Sequence, residues 1–248
     1  MNNYEFCADW VLDSYKEKCI KVLDYGCGAG EIVNEIRKLG IEAFGCDIFY
    51  EGGDYSKFVD KTHIGSVIKK MNVDGDQFTI PFRDCLFDVV ISNQVLEHVQ
   101  NLERALDDIN RVLKPGGTVL FLFPSKDVWR EGHTGVPFLH WFKKNSIFRI
   151  YYAAVFHYFG FGYHRDNIDA ISWSRGKCEW LDKWTYYRQY DEIKLSFATY
   201  FTKIDHIEDY WLRKRLGRYY FVVFYLPSSV QKFLVRKLCG LIILARKV

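Results

Sequence analysis

Along the first half of the chain, short apolar runs alternate with amphipathic stretches. Residues 21–25, 43–48, 87–92 (FDVVIS) and 119–123 (VLFLF) are continuous apolar runs bounded by turn residues, the mark of strands buried on both faces. Between them, residues 31–39 and 102–113 alternate apolar and charged positions at helical period, and Gly40 closes the first as a C-terminal cap. Phe6, Trp10, Leu12 and Tyr15 predict a helix over 4–18. Strands alternating with helices specify an α/β fold, a parallel sheet covered on both sides. After Pro124 the rhythm stops. It resumes with strands predicted at 201–208 and 241–245.

The interruption has its own composition. Residues 126–191 hold 18 aromatics, against 26 in the other 182 positions. The expected organisation is therefore a core of residues 1–125 and 192–248, with residues 126–191 as an aromatic-rich insertion over the sheet's carboxyl edge, where open α/β folds bind ligands. These aromatics have two readings: a satellite core, or surfaces that stack on a sugar or pack a lipid acceptor.

The informative turn is VLDYGCGAGEI at 22–32, a strand, a glycine turn and a helix. Gly26, Gly28 and Gly30 let the backbone approach a ligand closely. The dinucleotide pattern GxGxxG requires glycine at 31, where the chain has Glu31, and a carboxylate there repels a diphosphate. No Gly-Lys-Ser/Thr follows, which excludes a P-loop. Asp24 precedes the glycines. Asp47 ends the second strand, where a carboxylate can accept from ribose hydroxyls, and Asp76 and Gln77 lie where an adenine edge could sit. A nucleoside with a cationic, amino-acid-like tail matches these positions.

With these residues the chain resembles the class I S-adenosylmethionine-dependent methyltransferases. The matching elements are DxGxGxG at 24–30, Asp47, Asp76, FDVVISNQVLEHV (87–99) and RVLKPGGTVLFLFP (111–124). The resemblance implies a Rossmann-like, mostly parallel seven-stranded sheet with an antiparallel final strand, and S-adenosyl-L-methionine as cofactor. It places the methionine part at Asp24, Gly26, Cys27, Gly28 and Gly30, the ribose at Asp47 beside Ile48, the adenine between Asp76 and Gln77, and Asn93 beneath the sulfonium. Cys27 departs from the small or polar residue usual there and reads as a buried, inert thiol. A fainter resemblance, in GHTGVPFLHWF, is to methyltransferases of bacterial surface polysaccharides.

For the chemistry of transfer, His133, between Gly132 and Thr134, is the candidate general base and His140 the second candidate. His98 reads as structural support, and His157 and His164, the latter with Asp166, as weaker candidates. No metal-ligand set is singled out. The expected reaction is O-methylation of a carbohydrate or lipid-linked saccharide. The alternatives are a quinone or lipid C- or O-methyltransferase at a membrane surface and a non-catalytic binding module.

Charge and cysteines bear on partners and place. Seven cysteines form no CxxC pair, and the start MNNYEFCADW has no basic or apolar leader segment, so a reducing cytoplasm is expected, with a peripheral position at the inner membrane face as a further option. The net charge of +3 divides unevenly: residues 212–248 carry nine Lys or Arg and no acid, which leaves the first 211 residues at −6. The basic, aromatic segment 212–236 is expected to meet an anionic surface, with a helix over 228–238. The acidic remainder, and the lack of an Asn/Asp-Pro-Pro-Tyr motif, argue against nucleic acid.

Overall fold

The central strands are apolar at nearly every position because both their faces are covered. In the computed structural model, which describes residues 1–15, 19–49, 59, 65–74, 77–165 and 168–247, β1 (Lys21–Tyr25) pairs in parallel with β2 (Glu42–Asp47) and with β6 (Phe87–Asn93). β2 carries β3 (Ile68–Lys70) at its outer side, and a separate hairpin joins β4 (Asn72–Asp74) to β5 (Gln77–Thr79). β7 (Leu113–Phe123) pairs in parallel with β6, and β9 (Leu241–Lys247) inserts antiparallel between β7 and β8 (Phe201–His206). The seven-stranded order is β3-β2-β1-β6-β7-β9-β8, so the antiparallel final strand implied by the resemblance is present.

Alternation along the strands divides the core in two. Leu23, Val90 and Phe121 point to one side, packed with α3 (Leu102–Val112) and α6 (Tyr190–Tyr200). Val22, Val89, Ile91 and Leu120 point to the other, packed with α1 (Asn3–Ser14), α2 (Glu31–Lys38), α7 (Glu208–Leu216) and α8 (Ser228–Leu238). The first helix ends at Ser14 rather than at 18. Its start is fixed by Asn2 and Glu5, whose side chains bond reciprocally to each other's backbone N–H.

Between β7 and α6 lie a 3-10 turn (Leu139–Trp141) and two helices, α4 (Ile147–Tyr158) and α5 (Ala170–Trp184). Val136, Leu139, Ala153, Trp173, Cys178 and Leu181 form a third, smaller cluster there. An ion pair of Arg149 with Asp182 ties α4 to α5. Many aromatics of this region stay outside that cluster: Phe148 is 76% exposed and Tyr158 81%. The apolar run 219–226 does not pack on the sheet either. It forms a 3-10 turn (Gly217–Val222) and a bend, with Phe221, Phe224 and Tyr225 exposed. α8 occupies the predicted 228–238, but Lys232 and Arg236 face α7, pairing with Asp209 and Glu208.

Candidate functional site

A cavity of about 480 Å³ opens at the carboxyl ends of β1, β2 and β6. Its first end is the glycine turn. Gly26 has φ +77°, and a Cβ there would lie 2.4 Å from Val95, so only glycine lets the turn sit against the loop after β6. The Gly28 N–H donates to Asp47 Oδ2 (2.9 Å) and the Phe49 N–H to Oδ1 (2.8 Å), which fixes the carboxylate at the end of β2. Gly30, at φ +84°, is the N-cap of α2 and lies just outside the lining.

Three carboxylates converge here. Asp24, 3% exposed, is pushed well above the usual carboxylate range, by burial first and then by the charges of Asp47 and Glu31. Asp24, Glu31 and Asp47 all line the cavity. A cationic ligand relieves their mutual repulsion, whereas a diphosphate adds to it. The residues therefore fit the positively charged S-adenosylmethionine. Cys27 and Ile48 also line this end, and burial raises the Cys27 thiol, consistent with an inert role. Asn93, at the end of β6, accepts from the Asn3 side chain (2.9 Å), so α1 closes over the cavity, to which it contributes Tyr4. Gln94, the next residue, is held in the left-handed region at φ +58°.

The second end brings His98, His133 and Trp180 to the lining from three distant segments. Main-chain bonds hold the segments together. The Tyr186 N–H donates to the Glu97 carbonyl (2.7 Å), and Arg188 donates to the carbonyls of Leu96, Val99 and Gln100 as well as Tyr186. His98 Nδ1 lies 2.6 Å from the Trp184 carbonyl and so carries the proton, leaving Nε2 as a lone pair. His133 Nδ1 faces the fully buried Glu131 carboxylate at 2.8 Å, which also accepts from Tyr187 Oη (2.7 Å) and the Thr134 N–H (2.6 Å). The two Nε2 atoms are 3.2 Å apart.

Burial alone would raise Glu131, but its bonds from His133, Tyr187 and Thr134 hold it down at about 2. Burial would lower His133, yet the hydrogen bond and charge of Glu131 carry it above the usual histidine value. Burial, with the charge of His133 added, takes His98 down to about 4. Glu131 thus favours the protonated form of His133, which works against its use as a general base. Glu97 stands beside the pair, 1% exposed, raised by burial to about 7, and without a hydrogen-bond partner on either carboxylate oxygen.

The cavity thus gathers Asp24, Gly26, Cys27, Gly28, Asp47, Ile48, Asn93 and His133. It does not gather His140, which is buried elsewhere with Nε2 3.1 Å from the Lys126 carbonyl and its ring against Tyr187. His157 packs on Trp173 of the third, smaller cluster, and the His164 carbonyl accepts from Trp173 Nε1. Asp76 and Asp166 lie outside the described residues. For Gln77 only the backbone, in β5, is described. Sequence reasoning passed over Glu97, Glu131, Tyr187 and Arg188, and took Trp180 only as one of the aromatics of 126–191 that could form a satellite core or pack an acceptor. The adjacent Glu97–His98 and the Glu131-x-His133 spacing were the available signals.

Known proteins share the family and the fold. A family model described as a methyltransferase domain matches residues 2–192. A sterol 24-C-methyltransferase of Gibberella zeae is 38% identical over 100 residues, 40% of this chain and 26% of that protein. A demethylmenaquinone methyltransferase of Staphylococcus aureus is 30% identical over 184 residues, 73% of this chain and 66% of that protein. The matched segments thus span between about a quarter and two thirds of these relatives' lengths. A solved S-adenosylmethionine-dependent methyltransferase of Mesorhizobium loti shares the fold, with TM-score 0.53 at 16% identity, over 97% of this chain and 98% of that one. With most of its length matched by the family model, and with an acidic glycine turn suited to a sulfonium cofactor, the chain belongs to the methyltransferase-domain family.

Proposed function

We propose that the protein transfers the methyl group of S-adenosylmethionine to an oxygen or an activated ring carbon of a lipid-soluble acceptor of phenol or quinol type. The observation that carries this reading is the cavity's polarity: three carboxylates at one end, histidines and tryptophan at the other. The cofactor, when bound, supplies an electrophilic methyl group and a neutral leaving thioether. Asp24, Glu31 and Asp47 would bind its cationic and ribose portions. Trp180, with Val95 and Val99, would exclude water from the acceptor.

Two features favour a phenol or quinol over a saccharide. A sugar hydroxyl depends on a strong base, a role that the Glu131 carboxylate against Nδ1 disfavours for His133, whereas a phenol, titrating near pH ~10, needs less assistance. The exposed aromatics also form a connected surface. Phe233 meets Trp129 at 6.3 Å, the Trp129 carbonyl accepts from the Phe138 N–H, and the Phe138 ring packs tilted against Trp141 at 4.6 Å. Phe221, Phe224 and Tyr225, in the segment whose Val223 and Leu226 carbonyls accept from Gln231 of α8, are exposed as well. A surface of this kind suits a membrane interface. No helix among the described residues is long and apolar enough to cross a membrane. Several basic residues of 212–236 are already paired, Lys214 with Asp13 among them, so apolar contact outweighs charge in this reading. Relatives named for a sterol and for a quinone support a lipid-soluble acceptor, and the quinone name alone supports the ring type.

The test offers methyl-labelled S-adenosylmethionine with either a membrane lipid extract or a pool of water-soluble sugar nucleotides. Label entering the organic phase supports the proposal. Label confined to the sugar pool replaces it with the saccharide reading, and no transfer to either leaves a cofactor-binding module.

A further inference from the structure

The 3.2 Å approach of His98 Nε2 to His133 Nε2 needs an explanation. Each neutral ring has one N–H to donate, and each has an acceptor at Nδ1: the Trp184 carbonyl for His98, the Glu131 carboxylate for His133. Both Nε2 atoms then present lone pairs to each other, which is repulsive unless a proton or a cation lies between them. Two imidazole nitrogens held at about 2.0–2.1 Å by one tetrahedral ion are about 3.3–3.4 Å apart, close to the separation here.

Glu97 decides between proton and cation. A shared proton satisfies the histidines and leaves the carboxylate buried with neither oxygen bonded. A divalent cation satisfies all three groups. One ligand atom from each of Glu97, His98 and His133 lies within 4.8 Å of the others, and closing on an ion asks for only a small side-chain movement. The surroundings are those that orient metal ligands. Both rings are fixed through Nδ1, one by a carbonyl and one by a carboxylate, and that carboxylate is itself held by Tyr187 and the Thr134 N–H.

We infer that Glu97, His98 and His133 form a two-histidine, one-carboxylate site for a divalent transition-metal ion of the zinc, manganese or iron class. Two imidazoles disfavour calcium and magnesium, which prefer all-oxygen shells. Three protein ligands leave coordination positions open, and His98 and His133 line the cavity toward which these would face. An oxygen of the acceptor would occupy one, which gives this end a means of stabilising a phenolate that His133 by itself lacks. That last step rests on the proposed methyl transfer. The metal site does not.

Untagged protein, stripped with chelator and dialysed, is titrated with Co²⁺ and followed by its visible absorption, while calorimetry measures S-adenosylmethionine binding on the same samples. The expected result is one Co²⁺ per chain, with affinity lowered at least tenfold in Glu97→Gln and His133→Gln and about 10–100-fold in Glu131→Gln, which touches no ion but holds His133. Cofactor binding persists in all of them and certifies that the variants fold. A wild-type protein that binds the cofactor but takes up no Co²⁺, or takes it up equally in the Glu97 and His133 variants, overturns the metal site and leaves the methyltransferase reading standing. Loss of cofactor binding in the wild type counts against that reading instead, and the Co²⁺ titration still decides the site.

Discussion

The two ends of the cavity are built in opposite ways. The cofactor end comes from a few contiguous residues at the tips of β1 and β2, where main-chain N–H groups and Asp47 hold one another. The opposite end is assembled from segments near residues 97, 132 and 185, joined by Arg188 and the Tyr186 N–H on the loop after β6, by His98 on the Trp184 carbonyl and by Tyr187 on Glu131. The first end is acidic throughout. The second places one deeply ionised carboxylate, Glu131, behind a histidine pair and leaves another, Glu97, without a partner. A site fixed by strand ends tolerates change around it, whereas a site fixed by cross-chain hydrogen bonds depends on every strut.

This contrast makes graded predictions. The largest effect is expected from His133→Ala, which should lower turnover by about 10²–10⁴-fold with cofactor affinity near wild type. A parallel loss of cofactor affinity would mean that the two ends are not separable. Next is Arg188→Ala. It removes the donors to the carbonyls of Leu96, Val99 and Gln100 and should cost about 2–4 kcal/mol in denaturant unfolding. Activity should fall further than cofactor binding does, and equal falls would argue that Arg188 supports the fold as a whole.

The smallest concerns pH. His140 is held by burial at about 4, well below its unfolded value of about 6.5. Between these values the unfolded chain binds a proton that the folded one refuses, so stability is lost as pH falls from about 6.5 toward 4, by up to about 3 kcal/mol. His140→Leu should flatten that part of the Tm-against-pH curve. The Lys126 carbonyl keeps the Trp141 Nε1 donor in that variant, so the substitution leaves no orphaned acceptor there. An unchanged acid limb would assign the loss to other groups.

The same contrast explains what the sequence could reveal. Asp24, the glycines and Asp47 were legible because a strand–turn–helix places its chemistry in consecutive residues. The sheet was legible because strands buried on both faces are continuously apolar. The elements α4 and α5 were not, because α4 exposes Ile147, Phe148, Tyr151 and Val155, and no single face carries its apolar residues. The sequence ranked His133, between Gly132 and Thr134, above His140, between Leu139 and Trp141, but showed the partner of neither ring. What separates them is Glu131 behind one ring and the Lys126 carbonyl beside the other. The pairing of Glu208 and Asp209 with α8 was hidden for the same reason: charge counted along a segment does not show which acids fold back against it.

The central claim is that the acidic end selects a cationic nucleoside cofactor. Calorimetry of wild type and Asp47→Ala with S-adenosylmethionine and with a nicotinamide dinucleotide tests it most directly. The account predicts one S-adenosylmethionine site per chain and affinity weakened in the variant by about 1–3 kcal/mol as ribose contacts are lost, with no comparable dinucleotide binding. Equal affinity in the variant, or tighter binding of the dinucleotide by the wild type, would contradict it.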